Sequence, residues 1–148
     1  MNDVQVPNGA LILVGDGRKA LFLRNKGAQT HIELTAERVL EQDDPPTREQ
    51  GTDRPGRYRG GDGAAKSAFE QTDWHQLAED RFAVEISDAL NRLARENKFN
   101  QLILVAPPKV LGVLRTHLHK ETAARIVGEI HKDLTAHPIP EIARALSS

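Results

Sequence analysis

Two runs without a polar side chain govern what this chain can fold into: residues 10–14 (ALILV) and 102–106 (LILVA). Both are too short for a helix, and both are punctuated, by Gly9 and Gly15 around the first and by Pro107-Pro108 after the second. A strand that is apolar on both faces must be covered on both faces, so these runs read as interior strands. Gly15-Asp16-Gly17 follows the first run. An Asp-Gly pair in that place signals a hairpin whose central residues take positive φ. Residues 20–23 (ALFL) form the return strand, closed by Asn25-Lys26-Gly27. Residues 30–35 (THIELT) alternate Ile32 and Leu34 with His31 and Glu33, the period of a half-exposed edge strand that could pair with a second copy.

From about residue 41 to 72 the pattern breaks: Pro45-Pro46, Gly51, Pro55-Gly56, Gly60-Gly61 and Gly63 allow no regular period. So long a loop in a small domain is functional or flexible. An amphipathic helix is expected next, capped by Asp73 with Gln76 and burying Ala78, Phe82, Ile86, Ala89, Leu90 and Leu93. Asn97-Lys98 ends it. The strand at 102–106 directly after a helix implies a parallel crossover. Pro107-Pro108 opens a second helix with Val110, Leu111, Leu114 and Leu118 inside. Residues 125–131 read as the last strand and 138–146 as a terminal helix. The order β-β-β-loop-α-β-α-β-α predicts a single α/β domain over residues 1–148, a five-stranded mixed sheet with helices packed on it.

Composition narrows the function. The 148 residues carry 20 Lys+Arg against 21 Asp+Glu and no cysteine. That excludes a disulfide scaffold and a thiol nucleophile, and argues against bulk binding to DNA. With no apolar stretch long enough for a membrane span and no basic leader, the expectation is a cytoplasmic protein without membrane contact.

Residues 60–67 (GGDGAAKS) nearly spell a phosphate-binding loop. However, Ala65 replaces the last glycine and Arg57-Tyr58-Arg59 stand where an apolar strand should aim the loop, so a plain loop is the simpler reading. The same loop is locally basic: Arg54, Arg57, Arg59 and Lys66 face only Asp53 and Asp62, and Tyr58 adds a ring that can stack on a base. A two-metal nuclease needs converging carboxylates, yet the first strand contains none and the strand at 102–106 ends in proline. His117, His119 and Glu121 have the composition of a metal trio, but residues two apart on a helix face apart, which leaves them as surface groups. No metal or cofactor is expected. Asp16, Lys109 and His131 fall at strand ends where a cleft can form, and nothing in their spacing raises them above ordinary surface groups.

Four segments carry a resemblance: 14–23 (VGDGRKALFL), 53–57 (DRPGR), 102–115 (LILVAPPKVLGVLR) and 129–135 (EIHKDLT). Through them the chain resembles the bacterial host attachment protein family, named as required for attachment to host cells. That family is grouped with bacterial relatives of the middle domain of archaeal and eukaryotic peptide-chain release factors, a fold of ribonuclease-H-like element order. The resemblance implies a catalytic Gly-Gly-Gln loop between the third strand and the long helix. Here that slot holds Tyr58, Arg59, Gly60, Gly61 and Asp62. The glycines match, but Asp62 replaces the glutamine and brings negative charge where an oxyanion would develop, the wrong sign for ester hydrolysis. The resemblance therefore implies a ribosome- or tRNA-associated binding module contacting RNA through Arg54, Arg57, Tyr58, Arg59, Gly60, Gly61, Asp62 and Lys66, with no catalytic residue assigned. Two alternatives stand beside it: a hydrolase of peptidyl-tRNA or a related ester, and an indirect regulator of attachment without RNA contact.

Overall fold

A computed structural model describes residues 5–42 and 64–147, with residues 64–73 described in backbone only. The strands are β1 (Leu11–Gly15), β2 (Lys19–Asn25), β3 (Leu34–Glu41), β4 (Leu102–Val105) and β5 (Ile126–Ile130). The helices are α1 (Ala64–Arg95), α2 (Pro108–His117), α3 (Lys120–Ala123) and α4 (Ile139–Ser147). The strands form one five-stranded mixed sheet in the order β3-β2-β1-β4-β5, antiparallel from β3 to β1 and parallel across β1, β4 and β5.

The two apolar runs lie side by side at the centre, Leu11 opposite Leu102 and Val14 opposite Val105. Their alternation supplies both faces. Leu11, Leu13, Leu102 and Leu104 pack with Phe82, Ile86 and Leu90 of α1 and Leu111 and Leu114 of α2. Ile12, Val14, Ile103 and Val105 pack with Val6 and with Ile142 and Leu146 of α4. Truncating such a fully buried Ile or Leu to Ala costs about 2–5 kcal/mol. The helix α1 stops at Asn97, which takes φ 56 while Lys98 donates to the Leu93 carbonyl at 2.9 Å and Asn97 to that of Ala94 at 3.0 Å. This is the two-bond termination that satisfies orphan carbonyls at a helix end.

Four local expectations need correction. The third strand is residues 34–41 rather than 30–35. Asn25 Oδ1 accepts the Gly27 and Glu33 amides, and Lys26 donates to the Glu33 carbonyl, which closes 26–33 as a loop before the strand starts. The edge that could pair with a second copy is therefore β3. The first hairpin is present, but neither Asp16 nor Gly17 has positive φ. Instead Asp16 Oδ1 accepts the Arg18 and Lys19 amides at 2.7 and 2.8 Å, so a side chain makes the turn. The long helix begins at Ala64, not Asp73, because residues 64–72 are mostly good helix formers with no glycine or proline. Gln76 caps nothing and donates to Asp80 Oδ1 one turn on, at 2.9 Å. Finally, α3 was not expected. Buried Asn91 holds it against α1, accepting from the His119 amide and the Thr122 hydroxyl and donating to the His117 carbonyl.

Candidate functional site

Because β1, β4 and β5 run parallel, their carboxyl ends emerge at one edge of the sheet, the place where open α/β sheets bind ligands. A cleft of about 300 Å³ opens there. The β1–β2 hairpin contributes Asp16, Gly17 and Arg18, α1 contributes Gln76, Glu79 and Asp80, the first turn of α2 contributes Lys109 and Val110, and the segment after β5 contributes Asp133.

Asp16, Gln76, Asp80, Lys109 and Asp133 are each held by a neighbour. Thr135, 8% exposed, lies with its hydroxyl 2.7 Å from Asp16 Oδ2 and 2.8 Å from Asp133 Oδ1. One hydroxyl proton thus serves two carboxylates, tying the end of β1 to the segment after β5. Asp133 Oδ1 also accepts the Thr135 amide at 3.1 Å. On the opposite wall Lys109 Nζ donates to Gln76 Oε1, and Gln76 passes the chain on to Asp80. Gly17 leaves room for the Glu79 side chain: a Cβ there would meet Glu79 Cδ at 2.6 Å.

The lining offers carboxylate acceptors and two cations, Arg18 and Lys109, over an apolar floor of Ala83, Val110 and Val113. This donor and acceptor set suits hydrogen-bonded recognition of a small polar group. Among the described residues the lining includes no His, Ser or Cys, and the nearby Thr135 hydroxyl is engaged with the Asp16 and Asp133 carboxylates. Among the described residues no group of three His, Cys, Asp or Glu could hold a metal ion. His117 sits against the Val113 carbonyl at the end of α2, and Glu121 faces Arg125 at 4.0 Å, so the His117, His119 and Glu121 trio points to separate partners.

Of the site residues expected from sequence, Arg54, Arg57, Tyr58, Arg59, Gly60, Gly61 and Asp62 lie outside the described residues. Lys66 is placed in α1 by its backbone, and its side chain lies outside them too. Of the strand-end residues, Asp16 and Lys109 come together in the cleft, whereas His131 is turned toward Glu129 at 3.8 Å. Asp133, Thr135 and the α1 residues were not anticipated. The signal was available: the segments 14–23, 102–115 and 129–135 that carry the family resemblance all reach this one cleft.

No helix among the described residues is long and apolar enough to cross a membrane. Among curated proteins nothing matches this chain. The model of the bacterial archaeo-eukaryotic release factor family 12 matches residues 9–146, and with this mixed sheet and helix order the chain belongs to that family.

Proposed function

We propose that this protein is a cytoplasmic ribosome- or tRNA-associated binding module that grips RNA through the basic Gly-Gly segment at residues 54–66. The observation that carries the reading is positional. The segment runs from the stretch after β3, which ends at Glu41, into the first turn of the long helix α1 in a member of a bacterial release factor family. The resemblance described above implies that the related release-factor middle domain carries its Gly-Gly-Gln loop in that slot. Arg54, Arg57, Arg59 and Lys66 supply cations for phosphates, and Tyr58 supplies a ring. Asp62 in the place of glutamine favours binding over ester hydrolysis, because a carboxylate repels a developing oxyanion. On this reading any effect on attachment to host cells is indirect, through translation.

Ribosome co-sedimentation at low and high salt tests it. Wild type should pellet with ribosomes at low salt and dissociate as salt rises. Replacing Arg54, Arg57 and Arg59 with Ala should weaken binding and lower the salt slope by roughly 2, at about 0.7 per phosphate contact. Wild type that stays in the supernatant at low salt refutes the proposal. Peptide release from peptidyl-tRNA, compared between wild type and Gly61→Ala, separates binding from hydrolysis.

A further inference from the structure

Among the described residues nothing packs on one face of helix α1. Phe82, Ile86 and Leu90 point into the core, and Gln76, Glu79 and Asp80 point into the cleft. On the opposite side, at three- and four-residue spacing, stand the exposed residues Trp74, Leu77, Arg81, Glu85, Asp88, Arg92 and Arg95, three cations against two carboxylates. Trp74 is 40% exposed and Leu77 49% exposed, although both are large apolar side chains. The Arg81 guanidinium lies 5.8 Å from the Trp74 ring centroid. Arg81, Arg92 and Arg95 carry no ion pair among the described residues, even though Glu85 and Asp88 are one turn away.

We infer that this face is a stacking platform for an unpaired RNA base, with Trp74 as the ring, Arg81 as the guanidinium stacked beside it, and Arg92 and Arg95 as phosphate contacts. The choice of RNA rests on the function proposed above, and three features favour it over a protein partner. An indole with an arginine laid against it presents a flat, cationic surface that accepts any base. The guanidinium groups of Arg92 and Arg95, which carry no ion pair among the described residues, match phosphate charge. Two apolar side chains on one helical turn fall far short of the roughly 1,200 Å² that a stable protein interface buries, whereas one base needs one ring. Spacing agrees: Trp74 and Arg92 are separated by about 27 Å of helix rise, the span of a few extended nucleotides.

Trp74 is the single tryptophan of the chain, so its emission reports on this face alone. Titration of the full chain with a twelve-nucleotide, unstructured, mixed-sequence RNA should quench that emission saturably. Affinities of variants follow from anisotropy of the same RNA carrying a label. Trp74→Ala should weaken binding roughly ten-fold. Arg81→Ala should weaken it several-fold, and Arg92→Ala with Arg95→Ala should lower the salt slope by roughly 1.4. Circular dichroism of each variant should match wild type, since all four side chains face solvent. Emission unchanged by RNA, or equal affinity in wild type, Trp74→Ala and Arg81→Ala, overturns the inference and leaves the face to a protein partner. The two proposals fail separately. Ribosome binding lost with the Arg54, Arg57 and Arg59 changes but intact in Trp74→Ala sinks this one alone. Saturable quenching by RNA without any ribosome co-sedimentation supports this one and sinks the other.

Discussion

Replacing Asn25 by alanine removes a carboxamide that is fully shielded from solvent and joins three segments. Its Oδ1 accepts the Gly27 amide at 2.9 Å and the Glu33 amide at 3.0 Å. Its Nδ2 donates to the Val6 carbonyl at 3.0 Å, with the Pro7 and Ala28 carbonyls at 3.3 Å. Two N–H groups serve three carbonyls, so four bonds are satisfied at once. At about 1 kcal/mol each, Asn25→Ala should cost about 3–4 kcal/mol, because the abandoned backbone groups stay partly buried. For a chain of this size that lowers Tm by about 10–15 °C. The same site gives a sharper test through Asn25→Asp. The new carboxyl keeps its two amide donors but turns an oxygen toward carbonyls and sits away from water, so its folded-state pKa rises above the unfolded value of about 3.9. A raised pKa means that stability is fully present below the unfolded value and is lost as pH climbs through the folded one. Urea unfolding at pH 4 and pH 7 should therefore show the gap between wild type and Asn25→Asp widening toward neutrality. A loss under about 1 kcal/mol in Asn25→Ala, or a pH-independent gap in Asn25→Asp, refutes the assignment of Asn25 as the organiser of the 26–33 loop.

Two glycines should respond in opposite directions. Gly27→Ala drives a Cβ into the His31 carbonyl oxygen and should destabilise by more than about 2 kcal/mol, while Gly112→Ala, with open space around it inside α2, should stabilise by about 1 kcal/mol in thermal or urea melts. The Arg115 guanidinium holds the Glu129 carboxyl below its ordinary pKa, mainly by hydrogen bonding. A depressed carboxylate stabilises above its unfolded pKa and loses that contribution as pH falls through the folded value. Glu129→Gln should thus be less stable than wild type at neutral pH, and the difference should close below the usual glutamate range. A difference that persists in acid would assign the loss to packing instead.

The core was legible because each apolar run carries its own instruction. Residues 10–14 and 102–106 could be satisfied only side by side under helices, and they pair as neighbours in the sheet. The stripe from Phe82 to Leu90 identified the covering helix for the same reason. The third strand was misplaced because β3 is an edge strand whose residues are nearly all exposed, so its sequence has little hydrophobic alternation to read. The start of α1 was missed where capping chemistry at Asp73 and Gln76 imitated a boundary inside a continuous helix.

The cleft was half visible, and the reason is one of range. Turn, cap and periodicity signals act across a few residues, whereas the hydrogen bond from Thr135 to Asp16 joins positions 119 residues apart. What brings them together is strand direction: once β1, β4 and β5 are parallel, whatever polar residue follows each must meet the others at one edge. Asp16, Lys109 and Asp133 each stand within four residues of a strand's carboxyl end and all line the cleft. Sequence places Asp16 and Lys109 at strand ends, but it reads the last strand as 125–131 and so puts His131 at its end, whereas the strand stops at Ile130 and Asp133 is the residue that reaches the cleft. An apolar floor and paired donors then follow from α1 and α2 crossing the same edge, so the site is a consequence of topology more than of any local motif.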